Sequence, residues 1–188
     1  AVCAPSRNAL LTGARPTTLG IYDLGTNFRE AVPKAVTLPQ LFKQNGYRTE
    51  GMGKIFHVGH GNHDDAASWS VPHWPAQVVA YAKSKGDMPK GAAYENLDVP
   101  DDTYPDAQIA NEAIRRLQAA KKKPDEPFFM AVGFVKPHLP FCARKKYWDL
   151  YDRAAFKLPE RWTPPEGAPG YAPTTWGELR QYRDMPER

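Results

Sequence analysis

Residues 106–135 read DAQIANEAIRRLQAAKKKPDEPFFMAVGFV, and this stretch decides the fold class. The first half repeats apolar residues at spacings of three and four, which predicts a helix over 106–121 with one apolar stripe: Ile109, Ala110, Ala113, Ile114 and Leu117. The run 128–135 is apolar and of strand length, typical of a parallel strand that is covered on both faces. Because a helix followed by such a strand is the repeating unit of an α/β sheet, we expect a mostly parallel central sheet flanked by helices.

Shorter elements are predicted on either side of this stretch. Helices are expected over 5–12 and 38–44, each followed by glycine or by Asn-Gly, and a strand is expected over 47–52. Residues 58–105 show no sustained period and predict a long functional loop. The proline cluster in 159–173 indicates an extended, irregular surface crossing.

Length, composition and charge indicate the class of protein and exclude some kinds of partner. The 188 residues suffice for one ordinary domain, and 41% hydrophobic with 24% charged residues is typical of a globular protein. No apolar run approaches the roughly 20 residues that a membrane helix needs, so no membrane partner is expected. The net charge is +4, and the one lysine cluster, 121–123, lacks interleaved aromatics, so no nucleic-acid partner is expected. Two cysteines, Cys3 and Cys142, do not make a disulfide framework.

Cys3 and Arg7 suggest an anion site. If Cys3 starts the first helix, the two side chains share a face, and the helix amides and dipole point at the anion that Cys3 approaches. Arg7 can then clamp the oxygens of that anion. The geometry suits a tetrahedral oxyanion above a nucleophile. It fits a thiolate phosphatase equally well, although the glycine-rich cradle expected there is missing.

Two longer stretches resemble the signatures of type I sulfatases, the formylglycine-dependent members of the alkaline phosphatase superfamily. Residues 1–13, AVCAPSRNALLTG, resemble the first signature at every constrained position, and residues 46–57, GYRTEGMGKIFH, resemble the second. Met52 stands where a smaller aliphatic residue is usual. The chain is most similar to the iduronate-2-sulfatase group, on the stretches 53–57, 62–65, 97–100 and 128–140. The resemblance implies an alkaline-phosphatase-like α/β fold and hydrolysis of sulfuric esters.

The resemblance also implies a chemistry for Cys3. A formylglycine-generating (sulfatase-maturing) enzyme is expected to oxidise Cys3 to formylglycine, whose hydrate carries two hydroxyls. One hydroxyl attacks sulfur and releases the alcohol, and deprotonation of the other then expels sulfate. The family implies Ca²⁺ as cofactor, with the modified Cys3 among its ligands. It further implies a sulfated carbohydrate substrate, such as a glycosaminoglycan, and a periplasmic, secreted or lysosomal compartment.

Lys54 and His57 match the sulfate-binding lysine and histidine of the family. Residues three apart on a strand face opposite ways, so both side chains reach one site only if the strand ends at Gly53. By the same resemblance His57 is expected among the catalytic residues, together with Cys3 and Arg7.

His138 follows the predicted strand 128–135, at the end where ligands collect in open α/β sheets. The resemblance implies that His138 donates a proton to the leaving alcohol or contacts sulfate. Pro137 excludes the helical conformation at Lys136, so Lys136 is expected to project the same way and to bind substrate, with a structural role as the alternative.

His60, His63, Asp64 and Asp65 form a polar cluster in the long loop. Their spacing fits no zinc pattern closely, which favours a polar surface over a metal site, with substrate contact as the alternative.

Two elements of the sulfatase pattern have no match here: a strand with paired aspartates before the cysteine motif, and a later strand that supplies Asp with His or Asn. We therefore expect residues 1–188 to be a portion of an N-terminal sulfatase catalytic domain that binds calcium poorly alone. Two rival functions stay open. One is a phosphoester or phosphonate hydrolase of the same superfamily. The other is a non-catalytic relative in which Cys3 stays a thiol and the cleft only binds sulfated glycan.

Overall fold

The structure is a computed structural model that describes residues 2–77, 81–83, 91–161, 163–172, 177–183 and 185. Its helices and strands follow in the order α1 (Cys3–Thr12), α2 (Pro16–Leu19), α3 (Phe28–Ala31), α4 (Leu38–Gln44), β1 (Arg48–Gly53), β2 (Tyr94–Glu95), α5 (Pro105–Lys121), β3 (Phe128–Gly133), β4 (Phe141–Cys142) and α6 (Lys145–Trp148). Single turns of 3-10 helix lie at Ala66–Ser68, Asp101–Thr103, Arg153–Ala155 and Glu178–Gln181.

The chain divides into two compact units. Unit 1 comprises Ala1–Val78 and Pro105–Val135, and unit 2 comprises Val79–Tyr104 and Lys136–Arg188. Unit 1 holds α1 to α5 with β1 and β3, whereas unit 2 holds β2, β4 and α6.

The sheet of unit 1 consists of β1 and β3 paired in parallel, in register from Arg48 with Phe128 to Gly53 with Gly133. Helix α4 packs on one face, where Phe42 stacks on Phe129 with ring centroids 4.6 Å apart. Helix α5 packs on the other face, where its Ile109 clusters with buried Met52 of β1. The α/β fold class with parallel strands between helices is therefore confirmed.

Element boundaries lie within two residues of the sequence prediction. Helix α1 begins at Cys3 rather than at residue 5, because Val2 already takes the extended conformation of an N-cap. Helix α4 has the predicted bounds and is held by a capping box between Thr37 and Gln40. Strand β1 extends to Gly53, one residue beyond the prediction.

The prediction that 128–135 is covered on both faces is wrong at three positions. Phe128 is 43%, Val132 39% and Phe134 49% exposed. Phe134 lies beyond Gly133, the last residue of β3 that pairs with β1. Beside Phe128 and Val132, β1 presents Glu50, which pairs with Arg116 of α5 at 2.6 Å instead of burying apolar surface. The predicted apolar stripe of α5 is likewise only partly buried, because Ile114 is 53% exposed.

Two glycines let the carboxyl ends of β1 and β3 approach closely. A Cβ at Gly53 would lie 2.1 Å from the carbonyl oxygen of Gly133, and one at Gly133 would lie 2.1 Å from that of Lys54. Gly53 also has φ of 73°, a left-handed conformation that ends the strand. The chain therefore turns into Lys54 at the edge of the sheet, while the Lys54 amide donates to Gly133 O at 2.7 Å.

A buried polar network supports the loop that follows β1. The Arg29 guanidinium binds both carboxylate oxygens of Asp65, with Nε–Oδ1 at 2.9 Å and Nη2–Oδ2 at 2.8 Å. The Ser68 hydroxyl donates to Asp65 at 2.6 Å and lies 2.6 Å from the Thr37 hydroxyl. Burial by itself raises the pKa of Asp65, but the hydrogen bonds from Arg29 and Ser68 outweigh it and hold that pKa below its ordinary 3.8.

Unit 2 is built around a short parallel pair, Tyr94 with Phe141 and Glu95 with Cys142. The Glu95 carboxylate accepts a hydrogen bond from the Tyr104 hydroxyl at 2.7 Å. Burial raises the pKa of Cys142 to about 11, so its thiol is neutral and packs as an apolar group. Both cysteines are free.

The described residues of the long loop, 58–77, 81–83 and 91–104, hold only short turns and β2, as the sequence predicts. The proline-rich crossing is irregular over 159–161 and 163–172, and residues 162 and 173 lie outside the described residues. Within the part of the chain that the structure describes, no helix combines the length and apolar character needed to span a bilayer.

We expect Gly53→Ala to destabilise unit 1 by roughly 1–3 kcal/mol more than Gly46→Ala. Both glycines have positive φ, so both variants acquire backbone strain, but only position 53 adds a clash with the facing strand. Urea denaturation of the two variants measures the difference. Equal losses of stability in the two variants would contradict the prediction, because they would mean that β3 moves enough to accommodate the new methyl group.

The Asp65 network predicts an acid-sensitive fold. Because the pKa of Asp65 is lowered on folding, its contribution is fully present above about pH 4 and is lost as pH falls through the lower folded value. Asp65→Asn is expected to cost roughly 1.5–3 kcal/mol at neutral pH and to flatten the fall of unfolding free energy below about pH 4. Denaturation from pH 7 downward checks this. Asp125→Asn, at an exposed turn, is the matched control and should keep the wild-type slope.

Candidate functional site

Cys3 stands in the first turn of α1, half-buried, as the anion-site interpretation requires. The N-cap residue Val2 has φ of −120° and makes no side-chain capping bond. The first turn of this ten-residue helix therefore directs backbone amides and the positive end of the dipole toward the place where an anion over Cys3 would lie.

Arg7 joins Cys3 to the end of β1. Its Nε donates to the Cys3 sulfur at 3.2 Å, one helical turn away. Its Nη1 donates to the carbonyl oxygens of Lys54 and Ile55, the latter at 3.0 Å. The guanidinium thus brings together the cysteine and the backbone that carries the predicted sulfate-binding lysine.

Lys54 and His57 follow the turn at Gly53, so the condition for both to reach one site is met. The Lys54 ammonium makes no hydrogen bond or ion pair with the residues that the structure describes, which leaves it available to an anion. Between the two, Phe56 is buried against Phe28 and Trp69 and anchors the segment. The His57 Nε2 lies 3.2 Å from His60 Nδ1.

Two members of the polar loop cluster, Asp64 and Asp65, make hydrogen bonds within unit 1. Asp65 belongs to the buried network with Arg29, and Asp64 accepts a hydrogen bond from the Trp69 indole at 2.9 Å. His60, which the sequence assigned to a polar surface, lies edge to edge with His57, with ring centroids 5.4 Å apart. The signal that could have indicated this contact is the turn sequence Gly59-His60-Gly61-Asn62.

Lys136 and His138 belong to unit 2. The Lys136 ammonium donates to the carbonyl oxygens of His138, at 3.0 Å, and of Pro140. His138 is exposed; its Nδ1 lies 2.6 Å from Leu139 O, and its Nε2 lies 3.9 Å from a Glu178 carboxylate oxygen. These contacts hold the Lys136 ammonium against its own loop, and its binding of substrate stays a prediction.

Comparison with known proteins identifies the family. The sulfatase family model matches residues 1–165, and the chain belongs to the sulfatase family. It is 39% identical to iduronate 2-sulfatase of Homo sapiens over 98% of its length, which covers 36% of that protein. It is 31% identical to a sulfatase of Formosa agariphila over 84% of its length and 34% of that protein.

The chain spans about a third of the length of these curated relatives. Among solved structures, it is similar to that of BT4656 in complex with its substrate D-glucosamine-2-N,6-O-disulfate, with a TM-score of 0.46 and 23% identity. That match covers 73% of this chain and 25% of the other. The family model and the identity to iduronate 2-sulfatase confirm the family resemblance, while the roles of the individual site residues stay predictions.

Arg7→Lys is expected to lower sulfate ester turnover by roughly 100-fold. A lysine cannot contact the group at position 3 and two carbonyl oxygens with one planar fork, and loss of a preorganised donor has about this effect. Steady-state hydrolysis of an aryl sulfate measures the change. Arg15→Lys, at an exposed position just past α1, serves as the control, and a fully active Arg7→Lys enzyme would contradict the role predicted for Arg7.

Proposed function

We propose that this chain carries the nucleophile and part of the sulfate pocket of an enzyme that hydrolyses sulfuric esters of a sugar. The observation that carries the proposal is the placement of Cys3 at the start of α1 with Arg7 3.2 Å from its sulfur and bound to the carbonyls after β1. Membership of the sulfatase family supports it. In this arrangement the Cys3 sulfur marks where an oxygen of the modified residue would lie.

The proposed reaction begins after a maturing enzyme has converted Cys3 to formylglycine and water has added to the aldehyde. One hydroxyl loses its proton as its oxygen attacks sulfur, and the bond from sulfur to the sugar oxygen breaks. The second hydroxyl then loses its proton, the carbonyl reforms, and the bond from carbon to the sulfate oxygen breaks. A diol thus expels sulfate without a second attack at sulfur.

Each proposed side chain supplies one physical effect in this sequence. Arg7 and the first-turn amides of α1 stabilise negative charge on the sulfate oxygens. Lys54 and His57 bind the same oxygens from the end of β1. His138 protonates the departing sugar oxygen, and Lys136 either binds the substrate or holds the His138 loop through the carbonyls it contacts.

Calcium requires more ligands than the described residues offer. The ion takes six to eight oxygen ligands. Within the described residues, no group of three or more His, Cys, Asp or Glu side chains is arranged to hold a metal ion. The modified Cys3 would supply one ligand, so these residues do not form a complete calcium site. We propose that the remaining ligands lie outside residues 1–188, in keeping with the third of its relatives' length that the chain spans.

For the substrate we propose a sulfated uronic acid or a related glycosaminoglycan unit. The support is the 39% identity to a protein named iduronate 2-sulfatase, over nearly the whole chain. We further propose that the protein meets its maturing enzyme on the way to a periplasmic, secreted or lysosomal compartment.

Co-expression with a formylglycine-generating enzyme is expected to lower the intact mass by about 18 Da. In a protein that also includes the remaining calcium ligands, the modified form should hydrolyse an aryl sulfate in preference to an aryl phosphate. Cys3→Ala should abolish both the mass change and turnover, whereas Cys142→Ala should retain the mass change because Cys142 is buried in unit 2.

Two outcomes favour the rival functions. Preference for the aryl phosphate indicates a phosphoester hydrolase. An unmodified thiol that binds sulfated glycan without turnover indicates a non-catalytic relative.

A further inference from the structure

We propose that His60 is a positioning residue for His57. Its ring fixes the orientation and the tautomer of the imidazole that binds sulfate, an inference that rests on the proposed function. His60 itself need not contact the substrate.

The two rings meet in a defined geometry. His57 Nε2 lies 3.2 Å from His60 Nδ1, and the planes are 23° apart with centroids 5.4 Å from each other. Between two neutral imidazoles, one nitrogen must donate and the other must accept. The protonation of one ring therefore dictates the tautomer of the other, and a 180° flip of His57 would break the bond.

The backbone conformation at His60 is unusual for a residue other than glycine. His60 has φ of 54°, and it is the one non-glycine residue with positive φ among the residues the structure describes. It is flanked by Gly59 at 111° and Gly61 at 88°. Gly59 and Asn62 close the turn with two backbone hydrogen bonds of 3.0 and 2.8 Å. Positive φ is uncommon for a residue other than glycine, and a side chain held in that conformation suggests a function for it.

Hydrogen bonds join the turn 59–62 to the neighbouring segment 24–27. The Asn62 amide donates to Leu24 O at 2.7 Å and Thr26 O at 3.2 Å, and its Oδ1 accepts from buried Asn27 at 3.0 Å. A Cβ at Gly25 would lie 3.2 Å from His60 O, so the two segments are in close contact. His60 is therefore held by a rigid support, which a residue that orients another requires.

Three variants separate the hydrogen bond from the aromatic contact. His60→Asn tolerates positive φ and places an amide atom near the former Nδ1, so it keeps a partner for His57. His60→Phe keeps an aromatic ring beside His57 and removes the hydrogen bond. His60→Gly suits the turn and removes both.

Nitrogen-15 chemical shifts of the His57 ring, recorded on the full chain at a pH where the imidazoles are neutral, report the tautomer. We expect one dominant tautomer in the wild type and in His60→Asn. His60→Phe and His60→Gly should shift the tautomer ratio about fivefold, the effect of one net hydrogen bond. His63→Asn removes an exposed imidazole from the same loop and should leave the ratio unchanged.

An unchanged His57 ratio in His60→Phe and His60→Gly would overturn the proposal. The Asn62 side-chain amide signal shows whether the turn is intact, and His60→Gly gives the answer if the phenylalanine distorts it. In the modified enzyme, KM for an aryl sulfate should rise about fivefold in His60→Phe and recover in His60→Asn. The NMR measurement needs no turnover. An inactive wild type that includes the remaining calcium ligands would therefore count against the proposed function alone.

Discussion

The Arg7 guanidinium holds the site together. Its Nε contacts the Cys3 sulfur, and its Nη1 satisfies two carbonyl oxygens that β1 leaves unpaired once it has ended at Gly53. One side chain therefore fixes the start of α1 against the carboxyl end of the sheet. Cys3, the positive end of a helix and the Lys54 segment come together because a planar cation can contact a sulfur and two carbonyl oxygens at once.

That contact depends on how closely the two strands approach. Gly53 and Gly133 face each other where any Cβ would collide with the opposite backbone. The left-handed turn at Gly53 redirects the chain without a longer loop. Helices α4 and α5 hold the strand pair from opposite faces, and Ile109 of α5 packs close to the same turn. The precision of the site thus comes from packed backbone rather than from a flexible loop.

Buried hydrogen bonds fix the conformation of the loops behind the site. Asp65 and Arg29 link α3 to the loop after β1, and Asn62 fastens the turn that carries His60 to the segment before α3. Directional hydrogen bonds specify a loop conformation more narrowly than hydrophobic contact, because each lost bond leaves a buried group unsatisfied. The hydrogen bonds of Asn62 thereby support the turn that brings His60 to His57.

The sequence by itself determined the local elements and the family. Helical periodicity, capping residues and the cysteine motif act over a few neighbouring residues, so α4, α5 and the shared face of Cys3 and Arg7 were predictable. Only the tertiary structure decided that Glu50 pairs with Arg116 and leaves Phe128 exposed, and that His60 meets His57. The first contact joins residues far apart in the chain, and the second needs a positive φ, which is uncommon for a residue other than glycine. Packing, not local preference, selects both.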